Sequence, residues 1–114
     1  MKLDRGSIVI VSLDPTIGHE QQGRRPCVVV SDPAVTNNQR FPLIAVVPVT
    51  GTSAQGALYP ALAPGRSGLT KASWAMMDQV RSIDKRRIAR VFGRIAPDEM
   101  NSIDDGLRLF LGLA

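Results

Sequence analysis

The chain has 114 residues, of which 44% are hydrophobic, and this predicts one domain over residues 1–114. Only 4% of the residues are aromatic, which predicts an aliphatic core and disfavours RNA binding by several stacked bases. The chain has a single cysteine, Cys27, which excludes an intrachain disulfide. The N-terminus has no signal-peptide core, and no apolar run approaches the roughly 20 residues of a membrane span. The sequence therefore predicts a cytoplasmic protein without membrane contact. The formal charge of +4 favours anionic partners such as nucleic acid or an acidic protein segment.

Three short, β-branched runs in the first half of the chain predict strands, at residues 7–13, 27–31 and 43–50. Pro48 cannot donate to a ladder, which predicts an edge, a bulge or the strand end at its position. The polar, proline-flanked segment between the second and third strands, residues 32–42, predicts a loop.

The second half of the chain predicts further strands and one helix. An apolar segment at residues 57–63 favours an edge strand, and residues 72–83 and 88–95 favour two more strands around a turn at 84–87. Helical spacing after Pro97, Asp98 and Glu99 predicts an amphipathic closing helix with apolar residues Met100, Ile103, Leu107, Phe110 and Leu111. Five or six short strands and a terminal helix indicate a mainly β fold, a small, curved, SH3-like antiparallel barrel.

The segment from Gly18 to Pro26 places polar and glycine residues, including the only histidine, directly before the second strand. A polar loop on a rigid strand is a common location for chemistry. One histidine, one cysteine and scattered acids are too few for a converging set of metal ligands, and neither a phosphate-binding glycine loop nor a G-x-S-x-G elbow occurs. No metal site and no cofactor are therefore expected.

Phosphoryl chemistry without a metal remains open, because a guanidinium can hold two phosphate oxygens and stays charged. Arg25 precedes Pro26, which favours an extended conformation at the strand start. Each candidate residue also has a plain structural interpretation. Arg25 and His19 are then surface residues, Thr50 is a β-former, and Asp78 is a structural partner for an arginine.

Several motifs together resemble the MazF/PemK family of toxins in order and spacing, over almost the whole chain. They are Arg5-Gly6, Leu13-Asp14-Pro15-Thr16, Gly18-His19-Glu20-Gln21-Gln22-Gly23, Arg25-Pro26, Pro48-Val49-Thr50 and Asp78-Gln79-Val80-Arg81-Ser82-Ile83-Asp84. The resemblance implies a CcdB-like barrel and the growth-arresting half of a toxin–antitoxin pair. It also implies a homodimeric endoribonuclease that cuts single-stranded RNA, including messenger RNA, without metal. The implied antitoxin has an acidic, partly disordered tail that blocks the RNA channel.

The same resemblance implies the roles of individual residues. Arg25 and Thr50 match catalytic positions for attack of the ribose 2′-hydroxyl on the adjacent phosphorus, which gives a 2′,3′-cyclic phosphate and a free 5′-hydroxyl. The general base is open among His19, Glu20 and Asp78. An arginine of the PemK/Kid branch, two residues before the aspartate, is replaced by Met76, which leaves Arg25 as the main cation. The expected RNA contacts, several with base-reading groups, are Arg5, Glu20, Gln21, Gln22, Asn37, Asn38, Thr52, Gln79 and Arg81.

Two other functions compete with this one. A gyrase poison of the same barrel fold would act through a C-terminal contact and need no catalytic arginine, which the loop from Gly18 to Pro26 disfavours. A non-catalytic RNA-binding barrel would keep the basic charge but have no use for Thr50 together with Arg25.

Overall fold

Strands rich in valine and isoleucine form the centre of the computed structural model, which describes residues 2–113. β-branched side chains pack well on a pleated surface, and a C-terminal helix follows the last strand. The elements are β1 (Ser7–Ser12), β2 (Arg24–Val29), α1 (Pro33–Thr36), β3 (Leu43–Thr50), β4 (Ala61–Leu62), β5 (Ser73–Ala75), β6 (Arg81–Asp84), β7 (Ile88–Arg94) and α2 (Pro97–Leu111), with 3₁₀ turns at Met77–Gln79 and Lys85–Arg87.

The strands form one curled, antiparallel sheet in the order β4-β5-β3-β2-β1-β7. On its free side β3 pairs first with β6, along Leu43 to Val46, and then with β5, at Val49 and Thr50. Pro48 lies where the partner changes, and its carbonyl accepts a hydrogen bond from the Met76 amide at 2.9 Å. Because N and O of one strand residue face the same side, the missing N–H of Pro48 faces the gap between β5 and β6.

Alternate residues of the central strands belong to two apolar clusters on opposite faces of the sheet. Ile8, Val28 and Val47 lie on the face that packs against Ile103 of α2. Val9, Cys27 and Val46 lie on the other face, with Leu3, Leu13, Ile44 and Ile83. On the second face, the ends of β2 and β3 that carry Arg25 and Thr50 form the polar end of the sheet.

Helix α2 packs closely because Gly106 has no side chain. A Cβ at this position would lie 2.7 Å from Cγ of Met77 and 3.0 Å from the Ala57 carbonyl, so glycine lets the helix approach the 3₁₀ turn at 77–79. At the other end of the helix, Glu99 accepts hydrogen bonds from the Ala96 and Ala63 amides at 2.9 and 2.6 Å. The helix is thereby held against the rest of the fold at its first turn and at Gly106.

The fold class is confirmed: the molecule is a small, mainly β, barrel-like antiparallel sheet with a C-terminal amphipathic helix. The predicted helix and the strand at 43–50 agree with α2 and β3. Two local predictions were wrong. Residues 32–42 contain helix α1, which Asp32 caps by accepting from the Ala34 amide, and residues 72–83 form two strands because the chain turns at 77–79 to bury Met77.

The predicted edge strand at 57–63 is shorter than expected. Only Ala61–Leu62 pairs, and it does lie at the edge of the sheet. Within residues 2–113, neither helix is long and apolar enough to cross a membrane.

Candidate active site

The β1–β2 loop, residues 13–23, is closed at its base by backbone contacts. The Leu13 amide donates to the Gly23 carbonyl at 2.9 Å, and the Gly23 amide donates to Oδ1 of Asp14 at 3.1 Å. Gly23 has φ +75°, a left-handed conformation that favours glycine. The loop therefore returns directly into β2 with Arg24 and Arg25 at the strand start.

Two arginines that are distant in sequence, at the start of β6 and in the turn at 85–87, bind the backbone at the base of this loop. Arg81 donates from Nη1 to the Leu13 carbonyl at 3.1 Å, and Arg87 donates to the Asp14 carbonyl at 2.9 Å. Both side chains thus stabilise the loop, and the RNA contact expected of Arg81 stays a prediction.

Gln79 contacts the middle of the same loop from the 3₁₀ turn at 77–79. Its Nε2 donates to the His19 carbonyl at 3.0 Å, and its Oε1 accepts from the Gln21 amide at 3.2 Å. The side-chain oxygen of Gln21 is buried without a hydrogen-bond partner among residues 2–113. An unpaired buried acceptor of this kind costs about 1–3 kcal/mol.

Arg25 is exposed at the start of β2, and the loop orients its side chain. Its Nε donates to the Gln22 carbonyl at 3.1 Å. Its two terminal nitrogens have no hydrogen-bond partner in residues 2–113, so their N–H groups face solvent. A guanidinium held at one nitrogen and open at the other two is suited to binding an anion.

Thr50 lies on the same face of the sheet as Arg25. The β2–β3 ladder ends at the pair Cys27 and Pro48. Arg25 and Thr50 each lie two residues beyond that pair, and because side chains alternate along a strand they point to the same face as Cys27 and Pro48. Oγ1 of Thr50 accepts from the Thr52 amide at 3.1 Å, which leaves the hydroxyl proton available to donate. Thr52 thus contributes its backbone to this side of the site.

Asp78 is exposed at the 3₁₀ turn and accepts a hydrogen bond from Tyr59. The phenol donates to Oδ2 at 2.8 Å, and this bond is the main cause that raises the pKa of Tyr59 above its ordinary value. The phenol therefore stays protonated and remains a donor. The second carboxylate oxygen of Asp78 has no hydrogen-bond partner within residues 2–113.

Glu20 and His19 lie together at the exposed tip of the loop. Oε1 of Glu20 accepts from the Ile17 amide at 2.5 Å, so this carboxylate caps a turn of the loop. The backbone of His19 is bound by Gln79, while its imidazole is exposed. Gln22, also exposed, contributes the carbonyl that orients Arg25.

Three of the predicted RNA contacts, Arg5, Asn37 and Asn38, lie elsewhere and are engaged in the fold; the Asn38 side chain accepts from the Arg40 amide at 2.9 Å. Arg5 donates to both carboxylate oxygens of Asp104 on α2 and to the Val30 carbonyl. Asn37 binds the amide and carbonyl of Leu3 through its side chain, at 2.9 and 2.8 Å. Met76, the residue at the arginine position of the PemK/Kid branch, is buried. The RNA roles of Arg5, Asn37 and Asn38 stay predictions.

Sequence reasoning missed two residues near the site, Tyr59 and Lys71. Tyr59 is the only tyrosine but lies in a glycine-rich segment, 19 residues before the aspartate it contacts. The Lys71 side chain occupies the space that a Cβ of Gly51 would take, so its ammonium lies beside Gly51, the residue that follows Thr50. The sequence signal for such a neighbour was Gly51, directly after the strand-end Thr50, because a glycine leaves room for another side chain.

Two groups limit the chemistry on this face. Cys27, two residues into β2 from Arg25, is fully buried, and burial raises the pKa of its thiol to about 12, so it is a neutral, apolar group. Within residues 2–113, no cluster of three His, Cys, Asp or Glu side chains has the arrangement of a metal site.

Comparison with known proteins gives a consistent set of matches. Residues 4–111 match the family described as PemK-like, MazF-like toxin of type II toxin-antitoxin system. The chain is 37% identical over 115 residues to endoribonuclease MazF9 of Mycobacterium tuberculosis, covering 96% of each, and 36% identical over 102 residues to endoribonuclease PemK of Escherichia coli, covering 89% of this chain and 76% of PemK.

The crystal structure of MazF from Deinococcus radiodurans has a TM-score of 0.81 to this chain at 29% identity, with 99% of both chains covered. MazF in a MazE-MazF crystal structure from the same organism has a TM-score of 0.77 at 28% identity, covering 100% of this chain and 99% of that one. The family match includes Arg25, Thr50 and Asp78.

Proposed function

Because this chain belongs to the PemK-like, MazF-like toxin family of type II toxin–antitoxin systems, we propose that it is an endoribonuclease toxin that cuts single-stranded RNA. Its relatives MazF9 and PemK are named as endoribonucleases, at 37% and 36% identity. A cognate antitoxin neutralises it.

The orientation of Arg25 is the observation that carries this proposal. The loop holds Nε at Gln22 and leaves both terminal nitrogens in solvent, beside the strand end that bears Thr50. Two open guanidinium nitrogens and a hydroxyl donor on one face match the oxygens of a phosphodiester. A toxin without catalysis would not require this arrangement.

The reaction proceeds within the RNA chain. The ribose 2′-oxygen attacks the adjacent phosphorus as a base takes its proton, and the bond from phosphorus to the 5′-oxygen breaks, with a proton delivered to that oxygen. The products are a 2′,3′-cyclic phosphate and a 5′-hydroxyl. Arg25 neutralises the charge that develops on the non-bridging oxygens, and the Thr50 hydroxyl donates a further hydrogen bond there.

Three groups compete to accept the 2′-hydroxyl proton, and their contacts differ. Glu20 binds the Ile17 amide with one carboxylate oxygen, and Asp78 accepts from Tyr59 with one of its own. The imidazole of His19 is exposed at the loop tip. Each keeps an unshared acceptor atom, so the assignment is made by comparing pH–rate profiles of His19→Ala, Glu20→Gln and Asp78→Asn.

The charge and the exposed apolar surface of the chain support two partners. A net charge of +4 favours an antitoxin segment that is acidic and disordered until it binds. The end of α2 exposes Leu109, Phe110, Leu111 and Leu113, which supports a homodimer that covers them. Light scattering at micromolar concentration should give twice the chain mass, and a monomer mass would contradict the dimer.

Cleavage of a defined RNA tests the whole proposal. A long unstructured RNA is incubated with the protein in EDTA, beside Arg25→Ala, and the ends are analysed by mass. We expect cuts at a few sites, each with a cyclic phosphate and a 5′-hydroxyl, and no cutting by the variant. Intact RNA, equal cutting by the variant, or cutting that EDTA abolishes would contradict the proposal.

A further inference from the structure

We propose that Gln79 is a positioning residue for Arg25 and that it does not read RNA bases. This inference rests on the proposed ribonuclease function. It replaces the base-reading role expected for Gln79 from the sequence, and it assigns the hydrogen bonds of its side chain to the geometry of the β1–β2 loop.

The Gln79 amide is already engaged at both of its polar atoms. It donates to the His19 carbonyl and accepts from the Gln21 amide, two backbone groups of the same loop. A bidentate contact of Gln79 with a base edge would have to compete with these two bonds for the same amide group. Gln79 is also half-buried, whereas the neighbouring Asp78 is exposed.

Two consecutive residues of the loop, Gln21 and Gln22, connect Gln79 to the guanidinium. Gln79 binds the Gln21 amide, and the carbonyl of the next residue, Gln22, accepts from Nε of Arg25 at 3.1 Å. A shift of Gln21 moves this carbonyl and rotates the guanidinium that it orients. A small displacement of a catalytic group can lower a rate a hundredfold.

The two sides of this contact differ in rigidity. Gln79 stands on a 3₁₀ turn whose Met77 is fully buried, bonded to the Leu58 carbonyl and packed closely against α2 at Gly106. The loop tip at residues 17–20 is exposed, and its own contacts are local. The buried turn therefore fixes the loop, rather than the reverse.

The buried side-chain oxygen of Gln21 adds a reason why the loop needs this contact. This atom, Oε1, is unpaired among residues 2–113, so the observed loop conformation includes an unfavourable group. Without Gln79, the loop is expected to relax toward conformations in which water binds that oxygen. The bonds to Gln79 offset this tendency.

Steady-state cleavage of a short RNA by Gln79→Ala is the first test. We expect kcat to fall between about tenfold and a hundredfold, KM to change less than about threefold, and the preferred cleavage sequence to stay the same. Gln39→Ala, which removes an exposed glutamine, is the matched control and should behave like the wild type. A changed base preference with kcat retained would show that Gln79 reads a base.

Gln79→Glu supplies a rescue that a purely structural role would not give. The introduced carboxylate accepts from the Gln21 amide but repels the His19 carbonyl, and protonation restores a donor there. Its activity relative to the wild type should rise as pH falls from 7.5 to 5, toward the ordinary glutamate pKa of about 4.3. A ratio that is flat or falls with decreasing pH would overturn the assignment.

Measurements without RNA separate this inference from the proposed function. By NMR, the Gln21 amide and the Arg25 Nε–H of the wild type should exchange slowly, and both should exchange faster in Gln79→Ala while core amides such as Val28 keep their protection. Unchanged exchange at both groups would overturn the inference even if the protein cuts RNA. The predicted exchange pattern in a protein that cuts no RNA would instead overturn only the function.

Discussion

Arg5 and Arg25 lie near opposite ends of β1, and their surroundings differ. Arg5 is partly buried and donates to Asp104 and to the Val30 carbonyl, so its nitrogens are used within the fold. Arg25 donates from Nε only, and its terminal nitrogens face solvent. Both arginines begin conspicuous motifs in the sequence, yet the fold uses the first for its own stability and leaves the second open to a ligand.

The difference follows from what lies opposite each side chain. Helix α2 brings a carboxylate to Arg5 across 99 residues of sequence, and a bidentate pair forms. Arg25 stands at the end of the sheet, where the neighbouring groups are loop carbonyls and a strand-end hydroxyl. Within residues 2–113 the Arg25 guanidinium has no carboxylate partner, and a bound phosphate would supply acceptors for its two terminal nitrogens.

Removing Arg25 gives the largest expected effect and tests the comparison most directly. Arg25→Ala should lower kcat/KM for RNA cleavage about a thousandfold, because it removes the main donors to the developing charge. The free energy of unfolding should change by less than about 0.5 kcal/mol, since the side chain is exposed. Cleavage kinetics and denaturant unfolding measure the two quantities.

Arg24→Ala is the matched control for that experiment. Arg24 is the adjacent exposed arginine on β2 and points to the opposite face, so the variant loses the same charge without touching the site. An equal loss of activity in both variants would show that net charge, and not the Arg25 geometry, supports cleavage.

At the other end of β1, removing Arg5 should act on stability. Arg5→Ala leaves Asp104 and the Val30 carbonyl without their partner and should lower the free energy of unfolding by about 2 kcal/mol. Arg108→Ala removes an exposed pair with Asp105 on the same helix and should cost less than about 0.5 kcal/mol. Equal costs, or a raised KM in Arg5→Ala, would weaken the contrast between the two arginines.

Most of the fold could be predicted because the strands carry a clear pattern. The β-branched runs at β1 and β3 and the helical spacing in α2 each report a local preference together with a buried face. The split between β5 and β6 could not be read, because the turn at 77–79 buries Met77 within a run of apolar residues. Helix α1 had a signal, Asp32 before Pro33, but four residues are too few for a period.

The site was harder to predict, because hydrogen-bond partners distant in sequence decide each role. Arg25 could be found from its motif and its position before Pro26. Gln79 binds backbone groups about 60 residues earlier in the chain, and Asp78 binds Tyr59. Both contacts depend on how the turn at 77–79 packs against the loops, which the sequence does not show. The sequence predicted an RNA-directed role for both arginines, Arg25 as a catalytic residue and Arg5 as an RNA contact, and only the tertiary contacts show that Arg5 is engaged within the fold while Arg25 is open.

Cys27 marks where the open site ends and the core begins, and its titration tests that boundary. Burial raises its pKa to about 12, above the ordinary value near 8.5, so the neutral thiol stabilises the fold below about pH 8.5 and the contribution is lost as pH rises toward 12. Between pH 7.5 and 9.5 the wild type should lose roughly 1 kcal/mol more stability than Cys27→Ala. Parallel pH curves, or labelling of the native thiol by a small alkylating reagent at pH 8, would show that solvent reaches Cys27.

Lys71 tests whether the Thr50 side of the site has a cation of its own, and its effect should be the smallest. Its ammonium lies over Gly51, the residue after Thr50, so the proposed RNA complex would bring a phosphate close to it. Lys71→Ala should raise KM about threefold and reduce the salt slope of RNA binding by about 0.7, the value for one phosphate contact on a single strand. Lys2→Ala, an equal change of charge at an exposed residue near the other end of β1, should alter neither quantity.

Gly51→Ala would fill the space that the lysine side chain occupies and should reproduce the Lys71→Ala result, because it displaces the ammonium without removing it. If Lys71→Ala and Lys2→Ala are indistinguishable, Arg25 is the cation that distinguishes this end of the sheet from the Arg5 end, and the Thr50 side contributes hydrogen bonds alone.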